Sequence, residues 1–369
     1  MNDSMYFSQI QEIELKLAKI TSSISKQYPK PLNSKEEKKK FFEHLHENKV
    51  YNPQIRYESR DIPESIFSQL EELKTSISLK NDKYNIKKLL IQKIDERISM
   101  LKAYKYWGDI KSTQYSIKSK GSPNIDEFNK AVEFIKSYRR SKIKFKRVTP
   151  QKVGEELQKE VLRLTNQNIE VIFKPLANKI LIRAKHGQII INPEESFRSI
   201  DIERLKVHEI QTHYMRYFNS KKIPIEMFHT GTSNYILTEE GLAVYMEYSH
   251  DVLSQAQLFI YAGRTVATYL CTQMSFYELF EYLHNLGFKQ EDAYKITFRA
   301  KRNLNDTSQL GGYTKDYVYF VGFYKVKEHL EKHPENLEKL FLGKIKIEDL
   351  ELLHEFISKF QREEIKFNN

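Results

Sequence analysis

His208 and His213 bracket the stretch HEIQTH, with Glu209 directly after the first. These are the side chains of hydrolytic zinc chemistry: two imidazoles grip the ion, and the neighbouring carboxylate takes a proton from water. In the familiar H-E-x-x-H pattern the histidines lie four residues apart, which on an α-helix leaves them about 40° apart around the axis; a spacing of five leaves about 140°. The spacing here demands one extra residue within the turn. A π-bulge supplies it and gathers at functional sites, so the helix is predicted to be π-bulged between the two histidines. Two solvated helix histidines would produce the same letters, so a third ligand has to decide.

A catalytic zinc site uses three protein ligands and keeps one position open. Downstream, TEEGLAVYMEY (238–248) offers Glu239 and Glu240 in a predicted helix that Thr238 can cap. Successive residues on a helix diverge by about 100°, so only one of the two glutamates reaches a metal. Acidic residues in a first helical turn are also ordinary partners of the helix dipole. With a histidine helix upstream, either glutamate would complete a His-His-Glu set for one Zn²⁺ per chain. His229, His250 and His284 sit in a loop or near helix ends and are poorer candidates.

VHEIQTH, TEEGLA and RAKRNLNDTSQLGGYTKDYVYFVG (299–322), in this order, resemble the family of the microtubule-associated tyrosine carboxypeptidase and its bacterial relatives, and NPQIRYE at 52–58 extends the likeness. The resemblance implies a gluzincin-like metallopeptidase with His208, His213 and Glu240 on zinc and Glu209 as general base. Glu239 then takes a supporting or capping role, because the family motif also occurs with glutamine there. Gln211 stands where the family leads one to expect glycine. The implied reaction is removal of a C-terminal aromatic residue, Tyr-like, from a protein or peptide tail; an acidic, tubulin-like tail is one such partner. Bacterial relatives share the motifs without having tubulin tails, so the target stays open.

A carboxypeptidase also needs a cation for the substrate's α-carboxylate and a donor for the oxyanion. Arg299 and Arg302 share a predicted helix face, with Lys301 and Lys315 nearby, although a basic run also suits a helix C-terminus. Tyr319 is the first choice of oxyanion donor; Tyr313 is the second and a candidate substrate contact. Two other readings are an endopeptidase of the same fold, and a regulatory or polymer-binding protein that keeps the metal structurally. The base Glu209 argues against the latter, since a structural site has no use for it.

The elements that must position these groups are legible from periodicity. EVIFK (170–174), KILIRA (179–184) and QIIINP (188–193) are predicted strands, the last two joined as a hairpin through KHG. The metal helix follows, capped by Ser199 or Asp201, and further helices are predicted at 238–249, 252–272, 275–286 and 290–303. Before residue 140 the text is helical and highly charged, with apolar periodicity in 6–26, 82–106 and 125–139 and an amphipathic helix start at SKEEKKKFF. STQYSIKSKGSPN (112–124) and the basic YRRSKIKFKRVTPQ (138–151) are predicted loops or linkers. The expected fold is α+β and mostly helical: an N-terminal helical region, 1–140, packs on a zincin-like domain, 141–369, with a small sheet and metal-binding helices.

The 369 residues carry 60 Lys and Arg against 49 Asp and Glu, a net charge of +11 that suits an acidic partner. Nucleic acid, an anionic membrane and an acidic protein tail all fit that charge, and an A+T-rich genome would give the same wealth of Lys, Ile and Asn. Nucleic acid is not the expected partner, since the phenylalanines of SKEEKKKFF favour an amphipathic helix over a nucleic-acid arm. The single cysteine, Cys271, excludes an intrachain disulfide, fits a reducing cytoplasmic setting and is read as a buried filler. No apolar run is long enough to span a membrane, and Arg264 interrupts the most apolar stretch.

Overall fold

The computed structural model describes residues 3–24, 28–79, 82–139, 146–176 and 178–360, and helices with two small sheets account for most of its regular structure. This is a mostly helical α+β chain. It divides into two compact units, each assembled from two stretches of sequence: 1–139 with 257–321, and 140–256 with 322–369.

The first unit is helical. Its N-terminal part contains Asp3–Ile20, Ser34–His46, Glu64–Ser76, Ile86–Lys105, Lys111–Lys120 and Ile125–Ser137. Phe41, 1% exposed, meets Phe276, Phe280 and Tyr294 at centroid distances of 5.2, 4.8 and 5.1 Å, so the SKEEKKKFF helix buries its apolar face against later helices. Short extended segments tie the same stretches together: the Ile55 N–H donates to Asn305 O at 2.7 Å, and Gly108 pairs with Leu304. Through these contacts 257–321 groups with the N-terminal region in one compact unit.

Of the stretch 112–124 only 121–124 is a loop. Lys111–Lys120 is a helix whose buried face consists of Ser112, Thr113, Ser116 and Ser119. Their hydroxyls are satisfied internally, Ser112 Oγ donating to Ala103 O at 3.0 Å and Ser116 Oγ meeting Thr314 Oγ1 at 3.2 Å, so a polar face serves as a packing face. Residues 140–145 of the basic segment 138–151 lie outside the described residues.

The second unit holds the sheets. β1 (Arg147–Val148) pairs antiparallel with β5 (Phe197–Arg198). β2 (Glu170–Phe173), β3 (Ile180–Arg183) and β4 (Gln188–Ile191) form a sheet of order β2-β4-β3, with β4 parallel to β2 and antiparallel to β3. The predicted hairpin is β3–β4, closed by a short 3₁₀ turn and Gly187 at φ 61°. β4 is central, and its Ile189, Ile190 and Ile191 are fully buried.

After β5 a helix begins at Ser199. Its start is secured by Asp201, which accepts the Arg198 backbone N–H at 2.8 Å, and not by the Ser199 side chain. It runs through Leu205 into a π-helical segment, Lys206–Tyr214, and on through Met215–Ser220. The helix Ile236–Ser249 starts two residues earlier than predicted, so Thr238 is not its cap; Thr238 Oγ1 accepts the Ile347 N–H at 3.1 Å instead. Among the described residues no helix is long and apolar enough to cross a membrane.

Candidate metal centre

The π-helical segment spans the whole HEIQTH stretch. Its i→i+5 bonding is seen where the Met215 N–H donates to Ile210 O. With about 4.4 residues per turn, five residues make little more than one turn, so His208 and His213 fall on the same face. Their rings lie 4.8 Å apart, nearly perpendicular at 84°. Gln211 occupies the inner side of the segment and donates to Glu160 Oε1 at 2.7 Å, which pins the irregular turn to the helix Pro150–Thr165. A glycine is not needed at that position.

Glu240 reaches the same place from the helix Ile236–Ser249, and one ligand atom from each of His208, His213 and Glu240 lies within 4.8 Å of the other two. Both imidazole Nε2 atoms stand 3.6 Å from Glu240 Oε2. That separation exceeds a hydrogen bond and is close to the ~3.3–3.5 Å between donors that share one tetrahedral zinc at ~2.0–2.1 Å. The helix carrying Glu240 is set by glycines: a Cβ on Gly241 would sit 2.3 Å from the Gly322 carbonyl carbon, so only hydrogen at both positions allows this approach to the helix Val318–Lys332.

The opposite ring nitrogens are committed to carboxylates. His208 Nδ1 lies 2.6 Å from Glu247 Oε1, and His213 Nδ1 lies 2.8 Å from Glu239 Oε1. A carboxylate accepts, so each Nδ1 carries the proton and each Nε2 is the atom presented toward Glu240. Glu247, fully buried, also accepts from Arg204 Nη1 at 3.1 Å. Glu239 accepts from Arg216, whose buried guanidinium is itself held by the carbonyls of Leu340, Gly343 and Ile345. Sequence reasoning gave Glu239 a supporting role but missed Glu247, Arg204 and Arg216.

Burial pulls both imidazoles down, yet the carboxylates outweigh it. Glu240, Glu247 and Glu209 push His208 up to about 10, and Glu239 and Glu240 push His213 up to about 9. Burial would raise the Glu239 carboxyl, but Arg216, Lys344 and His213 hold it well below the usual carboxylate range. The site thus concentrates negative charge around two imidazoles, an environment that calls for a cation. Two imidazole nitrogens and one carboxylate oxygen are the donor set of catalytic zinc, so the residues fit that ion. Glu209, half-buried, lies on the same segment between the two histidines.

Residues 39–366 match the family model described as microtubule-associated tyrosine carboxypeptidase. The chain belongs to this family. Mouse microtubule-associated tyrosine carboxypeptidase 1 is 33% identical to it over 165 residues, 42% of this chain and 33% of the mouse protein. The human protein of that name is 32% identical over 161 residues, 41% of this chain and 32% of its own length. The match therefore spans about a third of each of these family members.

The remaining candidate residues belong to the first unit. Arg299 and Arg302 both bind Asp316, Nε of Arg299 at 2.5 Å and Nη2 of Arg302 at 3.0 Å, so the shared helix face carries an internal carboxylate. Tyr313 is buried against Trp107 and Tyr28, with the Arg302 guanidinium 4.6 Å from its ring centroid. Tyr319 is half-buried and stacks on Tyr261 at 4.8 Å, and Lys315 is half-buried beside Asp316 in sequence. Cys271 is buried and free, its thiol pushed up to about 11 by burial, in keeping with a packing role.

Proposed function

We propose that the chain is a zinc-dependent metallocarboxypeptidase of zincin-like fold that removes a C-terminal residue, Tyr-like in character, from a protein or peptide tail. The observation that carries this reading is the convergence of His208 Nε2, His213 Nε2 and Glu240 Oε2 on one point, with Glu209 on the same π-helical segment. When bound by these three residues, zinc would supply a Lewis acid for the scissile carbonyl and lower the pKa of water.

The chain's own groups do the rest. Glu209 takes the proton from the attacking water and delivers it to the leaving amine, which its position beside a ligand and its partial exposure allow. Glu247 and Glu239 hold the two imidazoles in the tautomer that leaves Nε2 available. Tyr319 is the preferred hydroxyl for the developing oxyanion, since Tyr313 is enclosed by aromatic rings. Arg299 and Arg302, oriented by Asp316, belong to the cationic group for the substrate α-carboxylate, and Lys315, next to Asp316 in sequence, is a further candidate. The names of the mouse and human relatives support tyrosine as the residue removed, and the net charge of +11 suits an acidic tail.

The test is incubation of the zinc-loaded protein with peptides ending in free or amidated Tyr, Phe and Glu, followed by mass measurement of the products. Loss of one residue from the free-acid Tyr peptide alone is expected; equal cleavage of amidated ends would point to an endopeptidase. Glu209→Gln should keep its zinc and lose at least about 10²–10⁴ of the turnover. Full cleavage by that variant would remove Glu209 from the mechanism.

A further inference from the structure

The charges around Asp316 do not balance. Its Oδ2 receives Arg299 and its Oδ1 receives Arg302, so both carboxylate oxygens are occupied. Arg264 acts on the same carboxylate electrostatically and repels Arg299, and its guanidinium lies over the rings of Tyr261 and Tyr319. Three guanidiniums thus attend one carboxylate. The Nε atoms of Arg264 and Arg302 are buried and meet no acceptor among the described residues, and the Arg302 side chain is only 9% exposed. Arg302 is buried and Arg264 and Arg299 are half-buried, so surplus positive charge with poor access to water and orphaned donors are each costly, and an anion from outside the chain relieves both.

We propose that Arg264, Arg299 and Arg302, assembled around Asp316, form an anion site that takes a carboxylate, with Arg264 as the guanidinium left to make the principal contact. Asp316 satisfies one face of Arg299 and Arg302 and fixes their orientation; among the described residues no carboxylate bonds Arg264 in the same way. A guanidinium fork matches carboxylate and phosphate alike. The surroundings favour a carboxylate on an aromatic carrier, because Arg264 lies 5.5 and 5.4 Å from the ring centroids of Tyr261 and Tyr319, which stack on each other at 4.8 Å and 11°. Such a wall offers an apolar ring a surface that inorganic phosphate would not use. That the carrier is a peptide end rests on the carboxypeptidase reading, whereas the binding of the anion does not.

Titration calorimetry of the full chain with N-acetyl-tyrosine, its amide and inorganic phosphate tests the site. The acid should bind about 10-fold more tightly than the amide and more tightly than phosphate, and Arg264→Gln should bring the acid down to the level of the amide. Equal binding of acid and amide, tighter binding of phosphate, or an undiminished acid preference in Arg264→Gln would overturn the proposal. Thermal melting establishes that the variant is folded. If it is not, Arg264→Lys, which keeps the charge and removes the fork, must still weaken the acid by about 5-fold, and an unchanged affinity there overturns the proposal equally. Acid preference without any peptide cleavage would defeat the peptidase reading and leave this site standing; cleavage of a free-acid peptide by Arg264→Gln at the wild-type rate would defeat this site alone.

Discussion

His208 is oriented by Glu247, a carboxylate with no solvent exposure that sits between the ring Nδ1 and Arg204. Removing it deletes the acceptor that fixes the tautomer and leaves the Arg204 guanidinium without its partner. We expect Glu247→Ala to weaken zinc binding about 10- to 100-fold, measured by competition with a chromophoric chelator, while Glu209→Gln binds zinc as the wild type does. Equal affinity in Glu247→Ala and wild type would show that the contact does not prepare the ligand. Glu247 was partly legible: it follows Glu240 by seven residues, two helical turns, and so shares the ligand's face. What the sequence could not reveal was the partner, because Arg204 and His208 lie some 40 residues upstream and no local pattern links them. Arg216 was hidden for the same reason, its carbonyl partners standing more than 120 positions away.

Two elements place the ligands, and they differ in how they were read. The π-helical segment was inferred from chemistry, since five-residue spacing brings two imidazoles together only if the turn is widened. The close approach of Ile236–Ser249 to Val318–Lys332 had no such signal beyond the glycines themselves, Gly241 and Gly322, which a sequence shows without showing what they touch. Gly241→Ala should force the two helices apart and carry Glu240 with them. The expected cost is about 1–3 kcal/mol, seen as a lower thermal midpoint, together with weaker zinc binding than the wild type. An unshifted midpoint with normal zinc affinity would mean that the contact does not position Glu240. The strands and most helices followed from period-2 and period-3.6 patterns, with ends displaced by a few residues. Lys111–Lys120 escaped because its buried face is serine and threonine, and hydrophobicity patterns are blind to hydroxyls that pack by bonding inward.

At the scale of the molecule, the grouping of 257–321 with 1–139 rests on aromatic packing such as that around Phe41, and periodicity fixes which face is buried without saying against what. Both units share one electrostatic feature with a measurable consequence. In the first, Asp316 is held by Arg299, Arg302 and Arg264, and Glu96 by Lys93 and Lys120; in the second, Asp201 is held by Arg198 and Glu160 by Arg163 and Gln211. Burial would raise each carboxyl, yet these partners lower all four below the ordinary 3.8 for Asp and 4.5 for Glu. A carboxyl more acidic in the folded than in the unfolded chain contributes stability that is complete above its unfolded value and is lost as pH falls toward its folded one. Stability should therefore be flat from pH 7 to about pH 5.5 and decline below about pH 4.5, because the unfolded chain then takes up protons that the folded chain refuses. Thermal melts followed by circular dichroism at pH 7, 5.5, 4.5 and 3.5 would show a midpoint lower by about 5 °C or more at the last value. Asp316→Asn should flatten that decline while lowering the midpoint at neutral pH, since three guanidiniums would then share no carboxylate. A midpoint that does not move between pH 6 and 3.5 would mean that the paired carboxylates contribute no net stability to the fold.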